Sequence, residues 1–369
     1  MTNPLRALRD LGQSVWLDDI RRDLLTGGGL ARLVEEDALA GVTSNPSIFE
    51  KAIAGSDLYD AQIEAELAAD SGMDTAALYE ALVVEDIRRA ADVLRPVWEA
   101  TGGVDGYVSL EVSPHLARDA GGTVAEARRL RERVGRPNLM IKVPATAEGM
   151  PAIETLIAEG IHVNVTLIFS IAQYEAAAAA YRRGLERCAA PAGVASVASL
   201  FVSRLDTAVD RELEAMDHTE ALRGRAAIAN ARIAYGRFLE LFRDPFEPLR
   251  TRGARVQRPL WASTSTKNPA YSDVKYVESL VAPDTVNTLP RATLEAFRDH
   301  GRAELAITPE AVEAARRDLE ALAAAGIDLD RVTAELLRDG LEAFETAFDR
   351  LMAAIDARRR AILDAAAGR

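Results

Sequence analysis

Short apolar or β-branched runs alternate along this chain with longer stretches whose apolar residues recur at helical spacing. The runs fall at residues 14–17, 40–43, 106–112, 139–143, 162–169, 195–202, 259–263 and 285–289. Brief apolar runs bounded by turn residues read as buried strands, and the Ala-, Leu-, Glu- and Arg-rich stretches at 123–134, 150–159 and 171–187 read as amphipathic helices. Strand and helix in strict alternation predict a parallel sheet with right-handed crossovers. Eight strands of this kind predict a closed (β/α)8 TIM barrel. An open dinucleotide-binding sheet is disfavoured, because no Gly-rich GxGxxG turn follows the first run.

Three segments exceed what a minimal barrel needs. Residues 57–99 predict a helical insertion between the second and third strands. Residues 219–255 predict another, helical as far as Phe242 and then broken by Pro245 and Pro248. After Pro290 the pattern is helical to the end, with Thr308-Pro309-Glu310 as a helix start. With no linker and no fixed-period repeat, the expectation is one domain over 1–369, its barrel core at about 14–290 and its C-terminal helices at 291–369.

Composition narrows the function. Against 44 Lys and Arg stand 57 Asp and Glu, a net charge of −13, which argues against nucleic-acid or anionic-membrane partners. An anionic substrate would need a local group of cations. Cys188 is the sole cysteine, so no intramolecular disulfide can form, and it falls in a helical pattern where a packed thiol is expected. The four histidines, His115, His162, His218 and His300, are scattered, so no metal site or cofactor is expected. No signal-peptide core and no bilayer-length apolar run is visible, which predicts a cytoplasmic protein. A symmetric homodimer is only the generic expectation.

The candidate chemistry sits where the strands end. Lys142 lies inside the apolar run Asn138-Leu139-Met140-Ile141-Lys142-Val143-Pro144. A buried ammonium is costly to keep charged, and a neutral amine is a nucleophile that forms a Schiff base with a carbonyl. The alternative is a strand-end lysine whose head reaches water. The other strands close on Asp18, on Thr43-Ser44-Asn45-Pro46, on Glu111, on Asn164 and Thr166, on Ser199 and on Ser263. Strand alternation puts Asn164 and Thr166 on one inner face, and polar groups at the C-terminal strand ends converge on the mouth where barrel enzymes place their sites. Each residue also has a structural reading. Asp18 or Asp19 could cap a helix starting at Ile20, Asn45 could set a turn before Pro46, Thr166 could be strand filler, and Arg204 could be a solvated helix residue. Glu111 is harder to dismiss, because an inward carboxylate needs a partner or a proton.

Three motifs carry a family resemblance. Gly41-Val42-Thr43-Ser44-Asn45-Pro46-Ser47-Ile48, Ile141-Lys142-Val143-Pro144-Ala145-Thr146-Ala147-Glu148-Gly149 and Asn164-Val165-Thr166-Leu167-Ile168-Phe169-Ser170 resemble, in order, signatures of the transaldolase family. The length and the segment Trp261-Ala262-Ser263-Thr264-Ser265-Thr266-Lys267-Asn268-Pro269 resemble its longer bacterial branch. The resemblance implies a metal-free class I transferase of the pentose phosphate pathway. Such an enzyme moves a dihydroxyacetone unit from sedoheptulose 7-phosphate to glyceraldehyde 3-phosphate, giving erythrose 4-phosphate and fructose 6-phosphate. Carried over by position, it makes Lys142 the Schiff-base nucleophile and Asp18 the acid/base for carbon–carbon cleavage. Glu111 and Thr166 would activate the water of carbinolamine dehydration, and Asn45, Asn164 and Ser199 would hold hydroxyls of the three-carbon unit. Arg204, in Phe201-Val202-Ser203-Arg204, matches a family phosphate arginine. The chain departs from the shorter members two residues after Ser263, where their second phosphate arginine is replaced by Ser265, and the nearest cation is Lys267. The rival readings are a fructose 6-phosphate aldolase-like lyase, which would carry Tyr in place of Phe201, a non-catalytic sugar-phosphate-binding barrel, and pyridoxal-phosphate anchoring by Lys142.

Overall fold

The structure, a computed structural model, describes residues 3–367. Eight strands, β1 (Gln13–Leu17), β2 (Gly41–Thr43), β3 (Tyr107–Glu111), β4 (Leu139–Pro144), β5 (Val163–Ile168), β6 (Ser196–Phe201), β7 (Arg258–Ala262) and β8 (Thr285–Leu289), close in sequence order into a barrel. Every neighbouring pair is parallel, including β8 against β1. This is the (β/α)8 architecture that the alternation predicts. Every strand residue is buried, because helices cover the outside and side chains fill the inside.

Inside, the side chains stack in layers. Trp16, Tyr107, Met140, Val197, Leu260 and Val286 form the middle of the barrel. Gly41 is required in that layer: a β-carbon there would lie 2.4 Å from the Trp16 indole. Below it, Asp105 accepts hydrogen bonds from the Ser14 hydroxyl (2.6 Å), the Trp16 indole N–H (3.1 Å) and the Arg258 guanidinium (2.8 Å), so a satisfied ionic network closes the N-terminal end. The upper layer is left for polar groups.

The helices follow their sequence signals. The Ile171–Arg187 helix opens on a capping box in which the Gln173 N–H donates to Ser170 Oγ and the Ser170 N–H donates to Gln173 Oε1. It then buries Tyr174, Ala177, Ala178, Tyr181 and Leu185 against the barrel. The 57–99 insertion forms two helices, Asp60–Ala69 and Thr75–Ala100. The second insertion runs as the Ala226–Leu241 helix, and its prolines fall in the short turns Asp244–Phe246 and Glu247–Thr251. Thr308 caps Pro309–Ala324 as its sequence predicts, accepting from the Ala311 N–H. The last helix, Leu329–Ala367, crosses the barrel mouth and adds Leu341 and Phe344 to the inner apolar cluster. Among the described residues, no helix is long and apolar enough to cross a membrane.

Candidate active site

Lys142 does not reach water by its stem; it is 4% exposed. β4 pairs with β3 so that Lys142 stands beside Glu111. Its Nζ donates to the Ser44 carbonyl at 2.9 Å and lies 3.4 Å from Glu111 Oε2. Burial pushes the Glu111 carboxyl above the usual carboxylate range, with the Lys142 charge opposing and the Asp18 charge adding to the rise. Among the described residues, Thr166 Oγ1 is buried with no hydrogen-bond partner, and Glu111 Oε2 has only the 3.4 Å approach of Lys142.

On the other side, the Thr43 hydroxyl donates to Asp18 Oδ1 at 2.7 Å, and Thr43 and Thr288 hydroxyls lie 2.7 Å apart. The helix after β1 begins at Arg22 with no side-chain cap, so the capping reading of Asp18 and Asp19 does not hold. Burial pushes the Asp18 carboxyl up, while Lys142, the Thr43 hydrogen bond and Arg204 pull it down. Asn45 does both things its position allows. Its side chain caps the Pro46–Phe49 turn by accepting from the Ile48 N–H, and it lines the cavity. Asn164 is fully buried behind Ser199: its amide donates to Ser109 Oγ at 3.1 Å and accepts from Ser199 Oγ at 2.7 Å. Ser263 takes a left-handed backbone (φ 55°), and its hydroxyl lies 3.0 Å from that of Ser203.

These groups surround a cavity of about 300 Å³ at the C-terminal ends of the strands. Of the residues singled out from sequence, Asp18, Asn45, Lys142, Thr166, Ser199, Arg204, Ser263 and Lys267 line it. Glu111 and Asn164 stand just behind, each reaching it through a partner.

The whole-chain comparisons give the family. Residues 15–355 match the model of the family described as transaldolase/fructose-6-phosphate aldolase. The chain belongs to that family. It is 50% identical to a protein named transaldolase from Frankia alni over 363 residues, covering 96% of this chain and 97% of the relative. A transaldolase from Thiobacillus denitrificans is 52% identical over 352 residues (94% and 97% covered), and one from Mycobacterium marinum 48% over 370 (98% of each).

In this member of the transaldolase family the rim of the cavity is cationic. Arg204 is not a freely solvated helix residue: its guanidinium lies 5.4 Å from the Phe201 ring centroid, and burial lowers its proton affinity while Asp18 opposes. Lys267 Nζ donates to Ser265 Oγ at 2.7 Å, so the residue at the position of the missing arginine holds the nearest lysine. Sequence reasoning named Thr43 only as part of a strand end, with no role of its own, and missed Lys51 and Phe344 as cavity residues. Thr43 had a signal, lying in the first motif at the end of β2. Phe344 had none, since its helix follows the last strand and its local pattern does not say what it covers. A buried amine beside a carboxylate can exchange a proton with it, and the same cavity is lined by hydroxyls and cations.

Proposed function

We propose that this protein is a transaldolase that carries a dihydroxyacetone unit from sedoheptulose 7-phosphate to glyceraldehyde 3-phosphate on Lys142. The observation that carries the reading is the buried Lys142 amine, 3.4 Å from Glu111, in a cavity that Asp18 and three further cations also line. Lys142 Nζ adds to the ketose carbonyl, and loss of water from the carbinolamine gives the iminium. Glu111, acting with Thr166, protonates the carbinolamine hydroxyl so that it leaves as water, and the pair holds the water that returns in hydrolysis. Asp18 takes the proton of the substrate hydroxyl next to the breaking carbon–carbon bond. The aldehyde leaves, and the electron pair of that bond becomes the enamine. The acceptor aldehyde then adds to the enamine carbon, and Asp18 returns the proton to the new hydroxyl.

Asn45 and Ser199 hold hydroxyls of the three-carbon unit, with Asn164 fixing Ser199 from behind. Arg204 and Lys267 receive the phosphate, and Ser263 orients this rim through Ser203. Transfer is favoured over release of free dihydroxyacetone by Phe201 and Phe344, whose apolar faces line the cavity and limit water at the enamine. A coupled assay with sedoheptulose 7-phosphate, run with and without glyceraldehyde 3-phosphate, tests the reading. Turnover should depend on the acceptor, and borohydride with the ketose should label Lys142. Steady turnover without acceptor would favour a lyase, and absence of labelling would remove the Schiff base.

A further inference from the structure

The chain contains only four lysines, Lys51, Lys142, Lys267 and Lys275, against forty arginines. Three of the four line the one cavity described above, whereas Arg204 alone among the arginines does. The fourth, Lys275, serves the same rim. Its Nζ donates to the Gly224 carbonyl at 2.7 Å, lies 3.6 Å from Asp206 and sits 3.7 Å over the Tyr271 ring, while the Tyr271 hydroxyl donates to Asp210. These contacts pin the β7–β8 loop that carries Lys267. A chain that uses arginine for nearly all its positive charge has lysine around one site.

Lys51 is the lysine that no role above accounts for. Ser47, Ile48 and Lys51 fall at i, i+1 and i+4 on one side of the turn that follows β2, and all three line the cavity. The opposite side of the same segment buries Phe49, Ala52 and Ile53 in the core. That burial fixes which way Lys51 projects. The segment Glu50–Ala54 is a π-turn, held from above by the last helix, whose Arg358 donates to the Ser56 carbonyl at 2.6 Å. Among the described residues, Lys51, Arg204 and Lys267 make no ion pair with a carboxylate, although carboxylates outnumber cations in the chain. Lys51, Arg204 and Lys267 line the same cavity, and burial together with the charges of Arg204 and Lys51 lowers the proton affinity of Lys267. Like charges held together without a counter-ion are costly, and a dianion entering among them removes that cost.

We propose that Lys51 is a third phosphate ligand, binding with Arg204 and Lys267 the phosphate monoester of the sugar substrates and so determining specificity for phosphorylated aldehydes. The inference rests on the sugar-phosphate reading above. It also explains how this chain replaces the second arginine of shorter family members: two compact ammonium groups approach from different loops in place of one planar fork.

Glycerol 3-phosphate, which has no carbonyl and cannot react at Lys142, separates the phosphate subsite from catalysis. Calorimetric titration of the wild type should show binding that weakens as salt is raised. Lys51→Met keeps the apolar stem, removes the charge and should weaken that binding about tenfold, the loss expected for a charge-assisted contact, whereas Lys51→Arg should regain most of it. In turnover, Lys51→Met should raise KM for glyceraldehyde 3-phosphate far more than KM for glyceraldehyde, with a smaller change in kcat. Equal binding by wild type and Lys51→Met, no binding by the wild type, or Lys51→Arg as weak as Lys51→Met would each overturn the assignment. If glycerol 3-phosphate binding depends on Lys51 but ketose phosphates leave no borohydride label, the anion subsite stands and the transaldolase reading falls.

Discussion

Replacing Lys142 by Met removes the amine, keeps the stem, and perturbs activity and stability in separable ways. Without the amine no imine forms, so borohydride with fructose 6-phosphate should leave the protein mass unchanged. Stability depends on Glu111, which is 8% exposed beside a lysine that is 4% exposed. Removing one partner of a buried ion pair typically costs about 3–5 kcal/mol, because the remaining charge is uncompensated. Glu111 escapes part of this by taking a proton. Burial already holds its carboxyl above the usual range, and Lys142 is the largest influence opposing that rise. Loss of Lys142 therefore raises it further. A carboxyl whose folded pKa lies above its unfolded value of about 4.3 costs no stability below that value and its full penalty above the folded one. The deficit of Lys142→Met relative to wild type should thus be smallest below the unfolded carboxylate value and grow as pH rises through the raised folded one, by about 1.4 kcal/mol for each pH unit that the substitution adds to the folded pKa. Urea unfolding across that range measures it. A deficit independent of pH would refute the coupling, as would a deficit that keeps its slope when Glu111→Gln is added.

Asp18→Asn should still be trapped by borohydride but lose about 10²–10⁴ in turnover, since an amide cannot accept the proton released in cleavage; loss of trapping with cleavage intact would reverse the assignment. Because burial raises the Asp18 carboxyl, the acidic limb of the kcat/KM profile should lie above the ordinary aspartate range and vanish in Asp18→Asn. Arg204→Ala should cost about 1.5–3 kcal/mol in binding phosphorylated substrates, read as KM, with little change for unphosphorylated aldehydes. Phe344→Ala opens the apolar side of the cavity, so the ratio of dihydroxyacetone release to transfer should rise; an unchanged ratio would show that the last helix only braces the barrel.

The strands and most helices were legible because their signals are local. Apolar runs buried on both faces, the capping box at Ser170 and Gln173, and Pro309 after Thr308 each act within a few residues. The inner part of the cavity lining was legible for a related reason: strand alternation and the barrel's polarity carry Asp18, Lys142, Thr166 and Ser199 to one mouth wherever the helices lie. The local pattern could not decide between the readings of Asp18, Asn45 and Arg204, because a cap, a turn residue or a solvated arginine has the same sequence appearance as a site residue. Only the tertiary structure shows Asp18 paired with Thr43 rather than capping a helix, Asn45 capping a turn at the cavity edge, and Arg204 packed on Phe201. The same holds for Lys51 and Phe344. Lys51 faces the cavity because Phe49 and Ile53 are buried on the other side of its turn, and Phe344 reaches it because a helix beyond the last strand folds back over the mouth. Local propensity specifies an element and its buried face; which distant element that face meets follows from closing the barrel and packing what remains against it.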